Sequence, residues 1–190
     1  IRAYQQALVV DPNSVEALVG MSSSYLGLDM ASNAIAPAEQ AVVLAPDDGR
    51  ARADLGEAYM RVDRMSDAID AFEIALELLG NEPAVIRSLV ECYASEKRFA
   101  EAINAGQVLV AIEPAPQAWE RLGRAYFRQG DYDGSLESYR RAVELDPEYW
   151  PALNGIGVNE LNEWLRSDRT EAAAREAAGD AFRASLRVYP

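Results

Sequence analysis

Apolar and small side chains along this chain recur at helical spacing, with polar residues filling the positions between them. In the stretch AWERLGRAYFRQGDYD, residues 118–133, Trp119, Leu122 and Tyr126 stand at i, i+3 and i+7, on one face of an α-helix. Gly123 lies in the middle of that helix, where glycine costs about 1 kcal/mol relative to alanine, so its position predicts the close approach of another helix. The pattern repeats. Tyr25, Tyr59, Tyr93 and Tyr126 are 34, 34 and 33 residues apart, and Pro12, Pro46, Gly80, Pro114 and Pro147 keep the same step. Ala34, Ala68, Ala102 and Ser135 follow nine residues after each Tyr, and Ala41, Ala75, Leu109 and Ala142 seven further on. The position of Gly123 reads Ser22, Gly56, Val90, Gly123 and Gly157 along the chain. A fixed period of this length is the mark of a repeat architecture.

Each period predicts two helices. Helix A carries an aromatic end, as in Leu18/Met21/Tyr25, Leu55/Tyr59, Ile86/Leu89/Tyr93 and Trp119/Leu122/Tyr126. Helix B carries small residues around one large one, as in Ala68, Phe72 and Ala75 or Ser135, Tyr139 and Ala142. Asn13 with Glu16 three residues later suits a capping box, and Asn81 precedes a Pro83 suited to a first helical turn. Gly130 suits a C-terminal cap between helices A and B, and the Asp-Pro pairs at 11–12 and 146–147 close helix B.

These residues resemble the tetratricopeptide repeat, whose pattern W-x2-L-G-x2-Y…A-x3-F…P is matched from Trp119 through Leu122, Gly123 and Tyr126 to Tyr139 and Pro147, with Ser135 and Tyr139 in place of the usual Ala and Phe. Leu55, Gly56, Tyr59, Ala68, Phe72 and Ala75 match nearly as well, with Gly80 in place of Pro, whereas Val90 and Gly106 depart at the usual Gly and Phe positions. The resemblance implies an all-α fold, an α-α superhelix of antiparallel hairpins. The expected register is a second helix of a truncated preceding repeat at 1–14, repeats at 15–48, 49–82, 83–115 and 116–149, and an irregular fifth at 150–190, all in one continuous solenoid domain. The fifth begins well with Leu153, Ile156 and Gly157 but has Glu160 where Tyr is expected, and its Ala178, Phe182, Ser185 and Pro190 arrive about nine residues late. Both helices of that hairpin are therefore expected to be long, either through a plain insertion or as a docking element.

Composition narrows the function. The net charge is −13 with no histidine, which leaves no cationic field for a nucleic-acid backbone. Residues 1–115 hold 18 acidic side chains against 8 basic ones, and residues 116–190 hold 13 against 10. Lys97 is the only lysine among 18 basic residues, which fits either a salt-adapted surface or an Arg- and Ala-rich codon bias. No apolar run approaches the ~20 residues that span a bilayer, so no membrane partner is expected within this sequence. It starts at Ile1, in what reads as mid-helix, and is expected to be an excerpt of a longer protein.

No enzyme chemistry is expected. Without histidine and with a single Cys92, neither a zinc site, a disulfide nor a Ser-His or Cys-His nucleophile can be assembled, and no cofactor is expected. GIGVNE at 155–160 lacks the third glycine and the preceding strand of a dinucleotide loop, so Gly155 and Gly157 read as packing glycines. DYDG at 131–134 has Ala142 where a calcium loop would close with Glu, and reads as a turn with an N-cap. Cys92 falls where Ser24, Ala58 and Ala125 stand in other repeats and reads as a small buried side chain.

What remains is binding. Helical solenoids bind partners along their concave surface, and the resemblance implies that helix A lines it. The inward residues would be Glu16, Val19, Ser23 and Leu26; Arg50, Ala53, Glu57, Met60 and Arg61; Ala84, Arg87, Glu91 and Ser95; Gln117, Glu120, Arg124, Phe127 and Arg128; and Asn154, Val158, Leu161 and Asn162. Arg121, Arg124 and Arg128 stand at i, i+3 and i+7, and with Arg87 one repeat earlier and Asn154 one repeat later they suit a carboxylate or phosphate. The competing reading is ordinary salt bridging to Glu91 and Glu120. Val19, Leu26, Met60, Phe127, Val158 and Leu161 form an apolar strip for the side chains of a peptide. The Lys and Asn with which some arrays clamp acidic chaperone tails are absent: Val19 and Ser23, or Arg87 and Glu91, hold those positions. The expected function is a scaffold that holds a protein or peptide, with an acidic or phosphorylated end near the Arg cluster. The ligand groove would comprise Arg87, Glu91, Arg121, Arg124, Phe127, Arg128, Asn154 and Asn162. Two alternatives stand beside it: a regulatory or substrate-presenting module of a larger enzyme, and self-association through the ends of the array.

Overall fold

The computed structural model describes residues 1–166 and 172–188, apart from the side chains of 173 and 174, and eleven α-helices account for the described secondary structure. They group into two compact units, Ile1–Lys97 and Arg98–Pro190. The first unit contains α1 (Arg2–Val10), α2 (Val15–Gly27), α3 (Ala31–Leu44), α4 (Gly49–Arg61), α5 (Met65–Leu79) and α6 (Pro83–Ser95). The second contains α7 (Phe99–Ile112), α8 (Pro116–Gln129), α9 (Tyr132–Leu145), α10 (Trp150–Arg166) and α11 (Ala172–Val188). Pro190, read as the end of the last helix B, lies outside the described residues, as does part of the inserted stretch, residues 167–171.

Within each unit the helices pair as antiparallel hairpins: α2 with α3, α4 with α5, α8 with α9 and α10 with α11. The helix-A glycines explain how closely they pair. A Cβ added at Gly56 would stand 2.7 Å from the ring of Phe72, and one at Gly123 would stand 3.0 Å from that of Tyr139. In both hairpins a ring on helix B packs against a glycine 16 residues before it, in a space that any other residue would fill. The last hairpin keeps the contact across a longer stretch. A Cβ added at Gly157 would stand 2.9 Å from the ring of Phe182, 25 residues on, and α10 and α11 run 17 residues each. The ring also meets the following helix: Tyr139 lies against Gly155 and Tyr4 against Gly20, again at a spacing of 16. Where Gly106 replaces the ring, its Cβ would instead meet Leu122 at 3.1 Å.

Turns between helices A and B bring the chain through left-handed backbone. Gly130 takes φ +90° there, but Asp29, Asp63 and Lys97, at the equivalent positions, take φ of 58°, 64° and 60°. The N-cap of α2 differs from the expected Asn13. Ser14 caps it, accepting from the Ala17 N–H at 3.4 Å, while the Asn13 N–H donates to Asp11 Oδ1 at 3.0 Å. A short Asx turn at Asp11 therefore uses Asn13, and the helix starts one residue later.

α4, α6, α8 and α10 are each also tied to the helix B before them. The Tyr59 hydroxyl donates to Glu39 Oε1 across the α3–α4 seam, and the Tyr93 hydroxyl donates to Glu73 Oε1 across α5–α6, both at 2.6 Å. Gln107 Nε2 donates to the Tyr126 hydroxyl at 2.8 Å across α7–α8. The α9–α10 seam holds an ion pair at the same place, Arg140 Nη2 to Glu160 Oε1 at 3.5 Å. Glu160 thus occupies the tyrosine position with its partner changed to match. Beneath these ties, the buried small residues Ala34, Ala68 and Ala102 and their counterparts Ala58, Cys92 and Ala125 give way to Ser135 and Asn159.

Candidate functional site

The residues proposed as a groove divide between the two units. In the unit Ile1–Lys97, Arg87 is half-buried and Glu91 exposed on α6, and both are engaged by neighbouring groups. The rest of the helix-A surface in this unit is largely tied to itself. Arg61 donates to Glu57 at 2.7 Å, to the Leu26 carbonyl at 3.0 Å and to Asp29 at 3.4 Å. Ser23 Oγ donates to Asp54 Oδ2, and burial raises the pKa of that carboxyl. Leu26 does not belong to a ligand-facing strip. It is 7% exposed and packs with Ala31, Ala34 and Ala58, because small residues on α3 and α4 leave a space that the leucine fills.

The unit Arg98–Pro190 brings several of the other residues together. A recess of about 240 Å³ opens where α8 and α10 approach, and Arg124, Phe127 and Asn154 line it beside Glu120, Trp150 and Val158. Helical periodicity puts Arg124 and Phe127 on one side of α8, and the bend into α10 brings Trp150 and Asn154 opposite. Arg124 is half exposed and its Nε reaches Glu120 Oε1 at 3.2 Å, one turn back on the same helix. The salt-bridge partner is thus intrahelical. Phe127 meets the ring of Tyr132 edge-on, with centroids 5.4 Å apart. Under the recess, burial pushes the Tyr139 phenol up to about 12, so the floor carries a neutral hydroxyl.

Arg121 and Arg128 do not line this recess. Arg121 Nη1 donates to the Gln117 carbonyl at 3.3 Å, and Arg128 lies exposed in the last turn of α8. Both have further partners. The three arginines share a side of α8 but are spread over about 10 Å along its axis, and of the three Arg124 lines the recess. Asn162 lines a second, smaller recess of about 100 Å³ with Tyr132, Asp133, Leu136, Glu163 and Arg166. Asn159 lines both. It stood outside the expected groove because other repeats carry Ala, Cys or Ser at its position.

Candidate chemistry elsewhere is accounted for by packing. Asp131 caps α9, its Oδ1 accepting from the Gly134 N–H at 2.9 Å, and the glycines of GIGVNE lie against the rings of Tyr139 and Phe182. Cys92 is fully buried and its thiol is pushed up to about 12, chiefly by burial, far from the range in which thiolates react. Among the described residues no three His, Cys, Asp or Glu side chains group as metal ligands, and no helix is long and apolar enough to cross a membrane.

Comparison with known proteins places this arrangement. Sequence models of the tetratricopeptide repeat match residues 116–149 and, in a second form, residues 20–83 and 54–115. The small glutamine-rich tetratricopeptide repeat-containing protein 2 of Mycosarcoma maydis is 33% identical over 67 residues, 34% of this chain and 19% of that protein. The match therefore spans about a fifth of that relative's length. Among solved structures, MamA from Desulfovibrio magneticus RS-1, from residue 41 to its end, is similar with a TM-score of 0.80 at 19% identity, over 92% of this chain and 94% of that one. YrrB, described as a TPR protein with an unusual peptide-binding site, gives a TM-score of 0.80 at 18% identity, over 99% and 93% of the two chains. At these identities the likeness shows the fold, an all-α superhelix of tetratricopeptide type.

Proposed function

The chain belongs to the tetratricopeptide repeat family of protein-interaction scaffolds, and from that premise we propose that the face shared by α8 and α10 holds a peptide segment of a partner protein. The observation that carries this is the recess where Arg124, Phe127, Trp150, Asn154 and Val158 converge. An aromatic and aliphatic floor beside a few placed polar groups is the composition of a binding pocket. Phe127, Val158 and the exposed face of Trp150 take an apolar side chain of the segment, and Asn154 takes its backbone. With Nε of Arg124 engaged by Glu120, the planar guanidinium keeps its terminal N–H donors for an acidic or phosphorylated residue next to that side chain. The role is non-covalent. YrrB, with its peptide-binding site, supports this reading by analogy of fold.

The test is fluorescence anisotropy with a labelled peptide array that pairs one large apolar residue with an acidic, phosphorylated, neutral or basic neighbour. Peptides with the acidic or phosphorylated neighbour are expected to bind best. Arg124→Ser combined with Phe127→Ala is expected to weaken them at least tenfold while helicity and melting hold. Equal binding by the variant places the ligand elsewhere.

A further inference from the structure

The recess between α8 and α10 continues along α10 as an apolar track. Trp150, Asn154, Val158, Leu161 and Leu165 follow one another at steps of three or four residues, which holds all five within about 40° of one line down the helix. That line is about 22 Å long, four turns. Other sides of α10 are taken, since Gly155 lies against the ring of Tyr139 on α9 and Gly157 against that of Phe182 on α11. The track itself is open: Trp150 is 42% exposed, Leu161 36% and Leu165 48%. Among the described residues, α2, α4, α6 and α8 carry no exposed large apolar side chain; elsewhere such side chains stand on the second helices of hairpins and in turns. α10 is also longer than those four helices, 17 residues against 13 or 14, and Leu165 lies in the added length. Exposed apolar side chains gathered on one face mark an interaction surface.

Hydrogen bonding and spacing decide what fits. Beyond Asn154 the track consists of Val158, Leu161 and Leu165 side chains, which offer no hydrogen bonds. An extended segment laid there would bury backbone N–H and C=O groups without partners, whereas a helix satisfies its own and leaves free groups only at its ends. Apolar side chains on one face of a helix recur about every 5–6 Å, as they do along α10, while those of a strand recur about every 6.6 Å and fall out of step over four turns. A helix laid alongside can therefore pack ridges into grooves over the whole length. The recess fixes one end of it. There Asn154 can meet a terminal backbone group, and the terminal donors of Arg124 call for an acid. A second copy of α10 fits less well, because its own track holds no acid.

We infer that α10 docks an amphipathic α-helix of a partner protein, about four turns long, whose apolar residues lie along Val158, Leu161 and Leu165 and whose acidic end reaches Arg124 in the recess. The inference rests on the reading of the α8–α10 face as a peptide seat, and adds to it the conformation and length of the guest. Docking of this kind uses apolar anchors at i, i+3 or i+4, and i+7. An isolated helix of this length is marginal in water, so the guest gains its helix on the track.

Fluorescence anisotropy and difference circular dichroism with synthetic peptides provide the test. One labelled peptide of about 15 residues carries Leu at i, i+4, i+7 and i+11 and Glu in its first or last turn. A second has the same residues with the leucines spread around the helix, and a third is the first with two central residues replaced by proline. The short peptide that pairs one apolar with one acidic residue is the fourth. The first is expected to bind at least tenfold more tightly than the other three and to gain helical signal on binding. Leu161→Ser combined with Leu165→Ser, both at exposed positions, is expected to bring the first peptide down to the affinity of the short one and to leave the short one unchanged, with melting held. If the short peptide binds and the helical one binds no better than its rearranged or proline forms, the inference falls and the peptide seat stands. If no peptide binds, both fall. Binding of the first peptide without a gain of helix, or without loss in the double variant, overturns the inference too. So does a molecular mass that rises with concentration and returns to the monomer in the double variant, which assigns the track to a second copy.

Discussion

The α5–α6 and α9–α10 seams do the same job with different chemistry. In the first, the Tyr93 hydroxyl reaches the Glu73 carboxylate at 2.6 Å over a base of Ala68 and Cys92. In the second, Arg140 reaches Glu160 at 3.5 Å over a base of Ser135 and Asn159. Both ties join residues 20 apart, so the geometry of stacking is the constant and the side chains are the variable. Each departure has a matching departure on the facing helix. Glu160 put alone into a tyrosine position would leave a buried carboxylate facing acid; with arginine at 140 it has an opposite charge. The seam is a unit of two or four residues, and single positions within it have little meaning.

Breaking that correspondence on purpose gives the largest effect. Tyr93→Glu moves the fifth-repeat residue into the α5–α6 seam, where it faces the Glu73 carboxylate. Leaving a charge buried and unpaired costs about 3–5 kcal/mol, so the denaturant midpoint should fall sharply. Adding Glu73→Arg should recover most of the loss, and recovery of less than a third would show that the seams are not interchangeable. The converse change is milder. Arg140→Glu sets two acids together at Glu160, whose side chain is 11% exposed, but Arg140 itself is 55% exposed and solvent screens the pair. A loss of about 1–2 kcal/mol is expected, largely reversed by adding Glu160→Tyr, and measurable as a shift in urea unfolding.

The same correspondence explains what could be read from the sequence. The 34-residue recurrence of Tyr, Gly and Pro exposed the hairpins and the all-α fold because those residues answer to contacts inside one repeat. Gly123 was legible as a packing position, and its partner is the ring of Tyr139. Glu160 read as an irregularity and Asn159 drew no reading, since their reasons lie on the preceding helix, 20 and 24 residues back, and only the folded chain brings Arg140 and Ser135 to them. The candidate site was less legible than the fold. Helical spacing grouped Arg121, Arg124 and Arg128, but spacing says nothing about which head finds a backbone carbonyl or an intrahelical acid first. Leu26 entered the strip by position and left it because α3 and α4 present alanines there. Asn13 and Ser14 are both good N-caps, and one residue of difference is beyond what a capping preference resolves.

Alkali separates the two kinds of seam. Burial and the bond to Glu39 push the Tyr59 phenol up to about 12, against about 10 for a solvated tyrosine. Below pH 10 the phenol is protonated in both states and its contribution is complete. Between about 10 and 12 the unfolded chain ionises first, so rising pH favours unfolding, and above 12 the contribution is gone. The loss is on the order of 1 kcal/mol once partial solvent screening is allowed for. Unfolding followed from pH 9 to 12 should show this slope reduced in Tyr59→Phe. The α9–α10 seam has Glu160 in place of the phenol and should add no such slope.

The smallest effect tests the polar base of the α9–α10 seam. Ser135→Ala removes the acceptor of one Asn159 Nδ2 bond and leaves the other, to Gly155, in place. The loss should be about 0.5–1 kcal/mol, the net worth of one neutral hydrogen bond. Replacing both residues, Ser135→Ala with Asn159→Ala, restores the base that Ala34 and Ala58 form in the α3–α4 seam. Removing both partners of a buried hydrogen bond is nearly neutral, whereas removing one leaves a desolvated group behind. In this seam the double change also takes away the unpaired Asn159 Oδ1. The double variant should therefore be at least as stable as the parent and more stable than Ser135→Ala alone, read from urea midpoints in one buffer. A double variant less stable than either single one would mean that Asn159 fills a volume alanine cannot, and that the seam is held by its shape more than by its hydrogen bonds.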